Sequence, residues 1–144
     1  MATFKHILVP TDFSETADRA LDVALSIAAK FDAKVTVLHA YANPASAYPI
    51  RMNDAIPWPK EDVAALAQTK LRETVDKARQ RGMSVESQLA LGDAWQEIID
   101  ATKKLGIDMI VMGTHGRRGL PRMLLGSVAE KVVRSSTVPV VTVS

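Results

Sequence analysis

The chain has 144 residues, of which 47% are hydrophobic, 24% charged and 5% aromatic, the balance of an ordinary folded domain and not of a disordered or fibrous chain. Lysine plus arginine exceeds aspartate plus glutamate by only 18 to 16, and the excess is scattered, which argues against a nucleic-acid surface. There is no cysteine, so disulfide and thiolate chemistry are excluded, and no apolar run approaches the ~18 residues of a membrane span or the pattern of a signal peptide.

The expectation is therefore a cytoplasmic protein with a single domain over residues 1–144, bound neither to a membrane nor to nucleic acid. Along the chain, short β-branched runs alternate with longer segments of helical period. The first strand is "HILVP", ending at Pro10. Ala17, Leu21, Ala24, Leu25, Ala28 and Phe31 then recur at helical spacing, with Ser14 placed to cap the helix start. "KVTVLHA" reads as the second strand. After it, from Ala42 to Pro59, a loop carries Pro44, Pro49, Pro57 and Pro59, which exclude regular structure through much of it.

Val63, Leu66, Ala67, Leu71, Val75 and Ala78 predict a second amphipathic helix, with Gly82 just past its last turn. "MSVESQLALG" partly alternates, as a strand near a sheet edge does. Asp93 and Gln96 offer a capping box for a third helix, in which Ile98, Thr102 and Leu105 face inward and Gly106 ends the run. "IDMIVMG" is almost wholly apolar and reads as a strand buried on both faces. Ser127 and Glu130 offer another capping box, Val128, Val132 and Val133 give that helix its apolar side, and "VPVVTV" closes the chain as a strand.

Such alternation specifies an α/β fold: a doubly wound, open parallel sheet of five strands with four helices on its two faces. In sheets of this kind ligands bind beyond the carboxyl ends of the strands, where the strand order reverses. That point brings together "PTDFS" after the first strand and "GTHG" after the fourth. Glycines at 113, 116 and 126 permit positive φ or close approach of backbone to a ligand, and Ser127 opens a helix whose unpaired N–H groups attract anions. One helix start contributes only ~0.3–1 kcal/mol toward an exposed anion, so several amides must act together. Gly119 reads as a turn residue, and the three histidines show no metal-ligand spacing.

The full spacing, Gly113-x2-Gly116-x9-Gly126-Ser127, together with "ILVPTDFSETADRAL" and "LGSVAEKVVRSSTVPVVTV", resembles the ATP-binding branch of the universal stress protein family, over essentially the whole chain. The resemblance implies the strand order 3-2-1-4-5 in a Rossmann-like sheet of the adenine nucleotide alpha hydrolase kind. It also implies an ATP site: Pro10, Thr11 and Asp12 as adenine and ribose contacts, Ala40 near the base, and Met112 and Gly113 along the ribose. Gly116, Arg117, Gly126, Ser127 and Val128 match the phosphate-binding positions, with Mg2+ or Mn2+ carried on the phosphates. A homodimer through the C-terminal strand, Val138 to Val143, is implied as well, and that strand is apolar enough on both faces to invite pairing at a sheet edge.

The functional expectation is a nucleotide-dependent regulatory module. A slow ATP hydrolase or phosphotransfer enzyme is the alternative, but no phosphate lysine of the G-x4-G-K-[ST] kind is present and no second carboxylate accompanies Asp12. A phosphoacceptor receiver domain would require paired acids after the first strand, and a pyrophosphate-loop enzyme a Ser-Gly-Gly-rich turn there. "PTDFS" supplies neither.

Overall fold

A computed structural model of the chain describes residues 3–41, 60–115 and 125–144. The strands are β1 (His6–Pro10), β2 (Lys34–Tyr41), β3 (Val85–Leu91), β4 (Met109–Gly113) and β5 (Val140–Val143). Between them lie α1 (Glu15–Phe31), α2 (Lys60–Arg79), α3 (Ala94–Lys104) and α4 (Ser127–Ser135). All strand pairs are parallel, and the five-stranded sheet has the order β3-β2-β1-β4-β5. The chain thus winds outward from β1 through β2 to β3, then returns to the other side of β1 for β4 and β5.

Strand pleating divides the apolar residues between two cores. Ile7, Val9, Val35, Val37 and Val111 point to one face, where they meet Ala20, Ala24 and Leu25 of α1 and Leu71 and Val75 of α2. Leu8, Leu38, Ile110 and Met112 point to the other, against Ile98 and Ala101 of α3 and Ala129 and Val132 of α4. β1 and most of β4 are buried on both faces, which explains why "ILV" and "MIVM" show no alternation. β3 is an edge strand, with Glu86 and Ser87 exposed.

The helix ends follow local chemistry. Ser14 Oγ accepts the N–H of Ala17 at 3.2 Å and caps α1 as its sequence predicts. Gly82 and Gly106 take φ of +80° and +65° where the chain turns away after α2 and α3, a conformation in which glycine carries no Cβ penalty. The two predicted capping boxes do not form. Asp93 is the N-cap of α3 but makes no side-chain cap bond. The N-cap of α4 is Gly126, so Ser127 is already helical, and Glu130 pairs instead with Arg134 at 2.7 Å.

Three apolar residues expected inside are exposed. Leu66 is 59% exposed, Phe31 47% and Val133 45%. Leu66 and Val133 each sit one residue, about 100° of helical rotation, beside a buried neighbour, Ala67 and Val132, that holds the inward stripe. Phe31 ends α1 and packs edge-on against Phe4, with ring centroids 5.2 Å apart.

Candidate nucleotide site

The site begins where β1 and β4 part. Their ladder joins Ile7 to Met109 and Leu8 to Ile110 and then stops, while β1 continues beside β2 as far as Pro10 and Leu38. The reason is Pro10. Thr11 donates its N–H to Leu38 O and Lys5 O accepts from Lys34, so odd residues of this stretch face β2. His6 O accepts from Asp108, so even residues face β4. Pro10 is an even residue with no N–H, and it therefore offers β4 no donor with which to extend the ladder. Beyond it the two strands frame an open crevice.

The turn after β1 is tied down by its own side chains. Thr11 Oγ1 accepts the N–H of Phe13 at 3.0 Å, and Asp12 Oδ1 accepts that of Ser14 at 3.0 Å. His39 Nδ1 lies 2.8 Å from Thr11 O; because a carbonyl only accepts, the proton of this ring is on Nδ1. These bonds hold Phe13 at φ +66°, a left-handed conformation costly for an aromatic residue, at ~1–3 kcal/mol. The Phe13 ring lies against that of His39, with centroids 4.4 Å apart and planes tilted by 36°. The outcome is a preset Asp12 carboxylate at the crevice wall.

The opposite wall is backbone. Thr114, 9% exposed, donates its N–H to Val143 O at 2.8 Å, and its carbonyl accepts the N–H of Gly126 at 2.6 Å. Two short bonds thus fix the end of β4, the end of β5 and the start of α4 to one another. The N-cap of α4 is a glycine and supplies no side-chain cap, and the amides of the first turn, at Ser127 and Val128, have no partner within the helix. The helix dipole adds partial positive charge there.

Two of these glycines do without the positive φ that the sequence allows them. Neither Gly113 nor Gly126 is among the glycines with positive φ, and Gly126 has φ −63° and ψ 161°, open to any residue. Gly113 answers to a helix: a Cβ there would lie 2.7 Å from Thr16 Cγ2 and 3.2 Å from the Thr16 carbonyl carbon. It is glycine because the first turn of α1 crosses directly over it.

Pro10, Thr11, Asp12, Ala40, Met112, Gly113, Gly126, Ser127 and Val128 all line one crevice of about 410 Å3, within the ~300–1,000 Å3 of small-molecule sites. Gly116 and Arg117, with the loop Ala42 to Pro59 and Gly119, lie outside the described residues. The crevice also takes residues that sequence reasoning did not single out. Leu38, Ala94 and Ile98 make one end apolar, and Thr114 and His115 stand at the β4 end. Leu38 and Ile98 carry no signal in the sequence, because an apolar residue at core spacing reads as core. His115 was visible as a neighbour of the glycines.

A second hollow, of about 450 Å3, lies between α1 and α2. Its walls carry Asp18, Asp22, Lys70, Glu73, Lys77 and Arg81, charges of both signs, and its Arg81–Asp22 ion pair at 2.9 Å joins two exposed side chains. Burial raises the Asp18 carboxyl above its ordinary value, with Lys77 opposing the shift. Mixed, largely solvated charges of this kind do not converge on a ligand as the crevice walls do.

The model of the universal stress protein family matches residues 3–144. The chain belongs to the universal stress protein family. A universal stress protein of Methanocaldococcus jannaschii is 33% identical over 148 residues, covering 97% of this chain and 82% of the relative. The structure of the universal stress protein UspA from Lactobacillus plantarum superposes with a TM-score of 0.83 at 25% identity, over 100% of both chains. A universal stress protein solved in complex with cAMP superposes at 0.72 with 27% identity, over 98% of this chain and 97% of its own. The universal stress protein fold and its strand order are therefore those the sequence predicts. Among the described residues, no helix is long and apolar enough to cross a membrane, and no cluster of His, Asp and Glu could hold a metal ion.

Proposed function

We propose that this universal stress protein binds ATP in the crevice between β1 and β4 and acts as a nucleotide-dependent regulatory module. The observation that carries the reading is the pairing of a preset acid on one wall, Asp12, with first-turn amides of α4 at Ser127 and Val128, which have no partner within the helix, on the other. Asp12 suits ribose hydroxyl donors; the amides suit phosphate oxygens. Leu38, Ala40 and Ile98 provide the apolar slot a purine ring needs. The similar protein solved with cAMP supports an adenine nucleotide as the ligand class.

Pro10, Thr11 and Ala40 then lie along the base and ribose, and Met112 and Gly113 along the ribose. Gly126, Ser127 and Val128 serve the phosphates, with Gly116 and Arg117 completing that end. A divalent cation would then be carried on the phosphates themselves, since no cluster of His, Asp and Glu among the described residues could hold one. β5 is half-buried at the sheet edge, and its unpaired side suits a second copy of the chain in a two-fold dimer.

Isothermal calorimetry of the purified chain with ATP tests the reading. Saturable binding of one nucleotide per chain is expected, with adenosine binding more weakly for lack of phosphates. Absence of heat at millimolar ATP would reject it. Phosphate release followed in the same samples separates a module from an enzyme, and sustained turnover of many per minute would overturn the regulatory assignment.

A further inference from the structure

The ladder between β1 and β2 stops before its backbone requires it to. Odd residues of the β1 stretch and even residues of β2 face each other: Lys34 donates its N–H to Lys5 O, and Thr11 donates to Leu38 O at 2.8 Å. Odd residues of β2 face β3 instead, with Val35 donating to Ser84 O and Tyr41 O accepting from Gly92. Evenly spaced parallel pairing alternates donor and acceptor along each strand, so the next two bonds would run from Ala40 N–H to Thr11 O and from Phe13 N–H to Ala40 O. Neither forms.

Side chains take both of the partners that Ala40 would have used. His39 Nδ1–H donates to Thr11 O at 2.8 Å, and Thr11 Oγ1 accepts the N–H of Phe13 at 3.0 Å. The imidazole is packed as well as bonded, because the Phe13 ring lies against it and Lys70 of α2 stands with Nζ 5.7 Å from the centre of that ring. Ala40 itself keeps its strand backbone, in register with Ala90 of β3, and lines the crevice. Its N–H and C=O point together toward the end of β1. Among the described residues neither has a hydrogen-bond partner.

We infer that His39 is the positioning residue for base selection in this crevice: by occupying Thr11 O it ends the ladder early and leaves the Ala40 peptide groups to read the edge of the base. The inference rests on the nucleotide reading above and deepens it. Pro10 keeps β4 off the crevice by lacking an N–H; His39 keeps the end of β1 off Ala40 by supplying one.

The apolar slot of Leu38 and Ile98 accepts the face of any purine, so discrimination falls to the edge. A free N–H beside a free C=O is complementary to adenine, whose N1 accepts and whose 6-amino group donates. A 6-oxopurine carries a donor at N1 and an acceptor at position 6. It sets donor against donor and acceptor against acceptor, which excludes by repulsion as well as by lost bonds.

Amide hydrogen exchange of the nucleotide-free chain, with calorimetry using ATP and inosine triphosphate, tests the inference. Inosine triphosphate keeps the ribose and the phosphates and changes only the base edge. In the wild type the Ala40 amide is expected to exchange far faster than that of Leu38, which lies within the ladder, and to become protected when ATP binds. ATP is expected to bind roughly tenfold to a hundredfold more tightly than inosine triphosphate, the discrimination of a bidentate base contact. His39→Val removes the donor, so Ala40 should close onto Thr11 O: its amide becomes protected without nucleotide, and the two affinities converge. His39→Asn should restore both behaviours, because its Nδ2, like Nδ1 of the imidazole, stands one atom beyond Cγ. A residue that only stabilised the fold would weaken both nucleotides alike and leave their ratio unchanged.

An Ala40 amide as protected as that of Leu38 in the free wild type, or equal wild-type affinity for the two nucleotides, would overturn the inference and leave the nucleotide site standing. An unchanged preference in His39→Val would overturn the part given to His39. Failure of both nucleotides to bind the wild type would overturn both readings.

Discussion

At the amino end of the sheet, Asp108 Oδ2 accepts the N–H groups of Lys5 and His6 at 2.8 and 3.0 Å, and the His6 ring spans from Leu105 O to Thr36 Oγ1. At the carboxyl end, Asp12 uses Oδ1 inside its own turn, Pro10 stops the ladder, and α4 begins on a glycine N-cap. Both ends have an acid, a histidine and a threonine. The amino end spends them on closing the sheet over a distance of about a hundred residues in sequence. The carboxyl end keeps the Asp12 side chain within its own turn and the ends of β1 and β4 apart, which leaves a place for a ligand.

If that division is right, substitutions at the two ends should separate stability from binding. The largest effect is expected at Gly113, where the ends of β4 and α1 touch. Gly113→Val forces a side chain into Thr16, and overpacking of ~3 kcal/mol or more corresponds to a fall in Tm on the order of 10 °C for a chain of this size. Thermal denaturation checks it, and an unchanged Tm would show that α1 does not hold this position.

Two aspartates make a matched comparison. Asp12→Asn preserves an acceptor for Ser14 but removes the charge, so ATP affinity should drop by roughly tenfold to a hundredfold, the equivalent of ~1.5–3 kcal/mol for a charged hydrogen bond, with little change in Tm. Asp108→Ala should do the reverse: it strands two amides, which lowers stability by ~1–3 kcal/mol while ATP affinity stays as in the wild type. Calorimetry and denaturant melts on both variants check the pair. Loss of ATP binding in both would collapse the distinction between the two ends.

A smaller effect is expected from Pro10→Ala. The new N–H faces β4, and a ladder bond of ~0.5–1.5 kcal/mol is nearly offset by the greater freedom of the unfolded chain, ~0.4–1 kcal/mol. Tm should therefore hardly move, but the crevice narrows. ATP affinity should fall several-fold, and hydrogen exchange should show protection of the new amide at position 10.

The smallest is the pH response of the amino end. Burial, then the Lys34 charge, lowers the His6 imidazole below its ordinary 6.5. The unfolded chain thus binds the proton more readily than the native one, and stability rises with pH through the window that ends near 6.5 and declines as pH falls across it. Denaturant unfolding at a series of pH values should show this slope in the wild type and a flatter one in His6→Gln. Asp18, raised above 3.8, acts with the opposite sign at more acid pH and cancels in the comparison.

Much of this was legible in the chain itself. The unbroken apolar runs at Ile7–Val9 and Met109–Met112 mark strands covered on both faces, and "PTDFS" and "GTHG" mark the ends that meet, because polar residues and glycines interrupt the apolar runs there. What stayed hidden depends on direction and on neighbours remote in sequence. Helical spacing places Leu66 and Val133 within one residue of the inward stripe without saying that Ala67 and Val132 take it. The glycine at 113 is conspicuous in the sequence, but its reason, the crossing of Thr16, is a contact nearly a hundred residues away.

The alternation of short β-branched runs with amphipathic helices determined the α/β layers and the elements that border the crevice, since pleat and helical turn are local periods written residue by residue. Only the tertiary structure decided that the missing N–H of Pro10 faces β4, that Gly126 and not Ser127 caps α4, and that one threonine hydroxyl stands between His115 and Val143. Each of these is a matter of which way a bond points toward another part of the chain, and orientation across strands is fixed by packing, not by the order of residues along one of them.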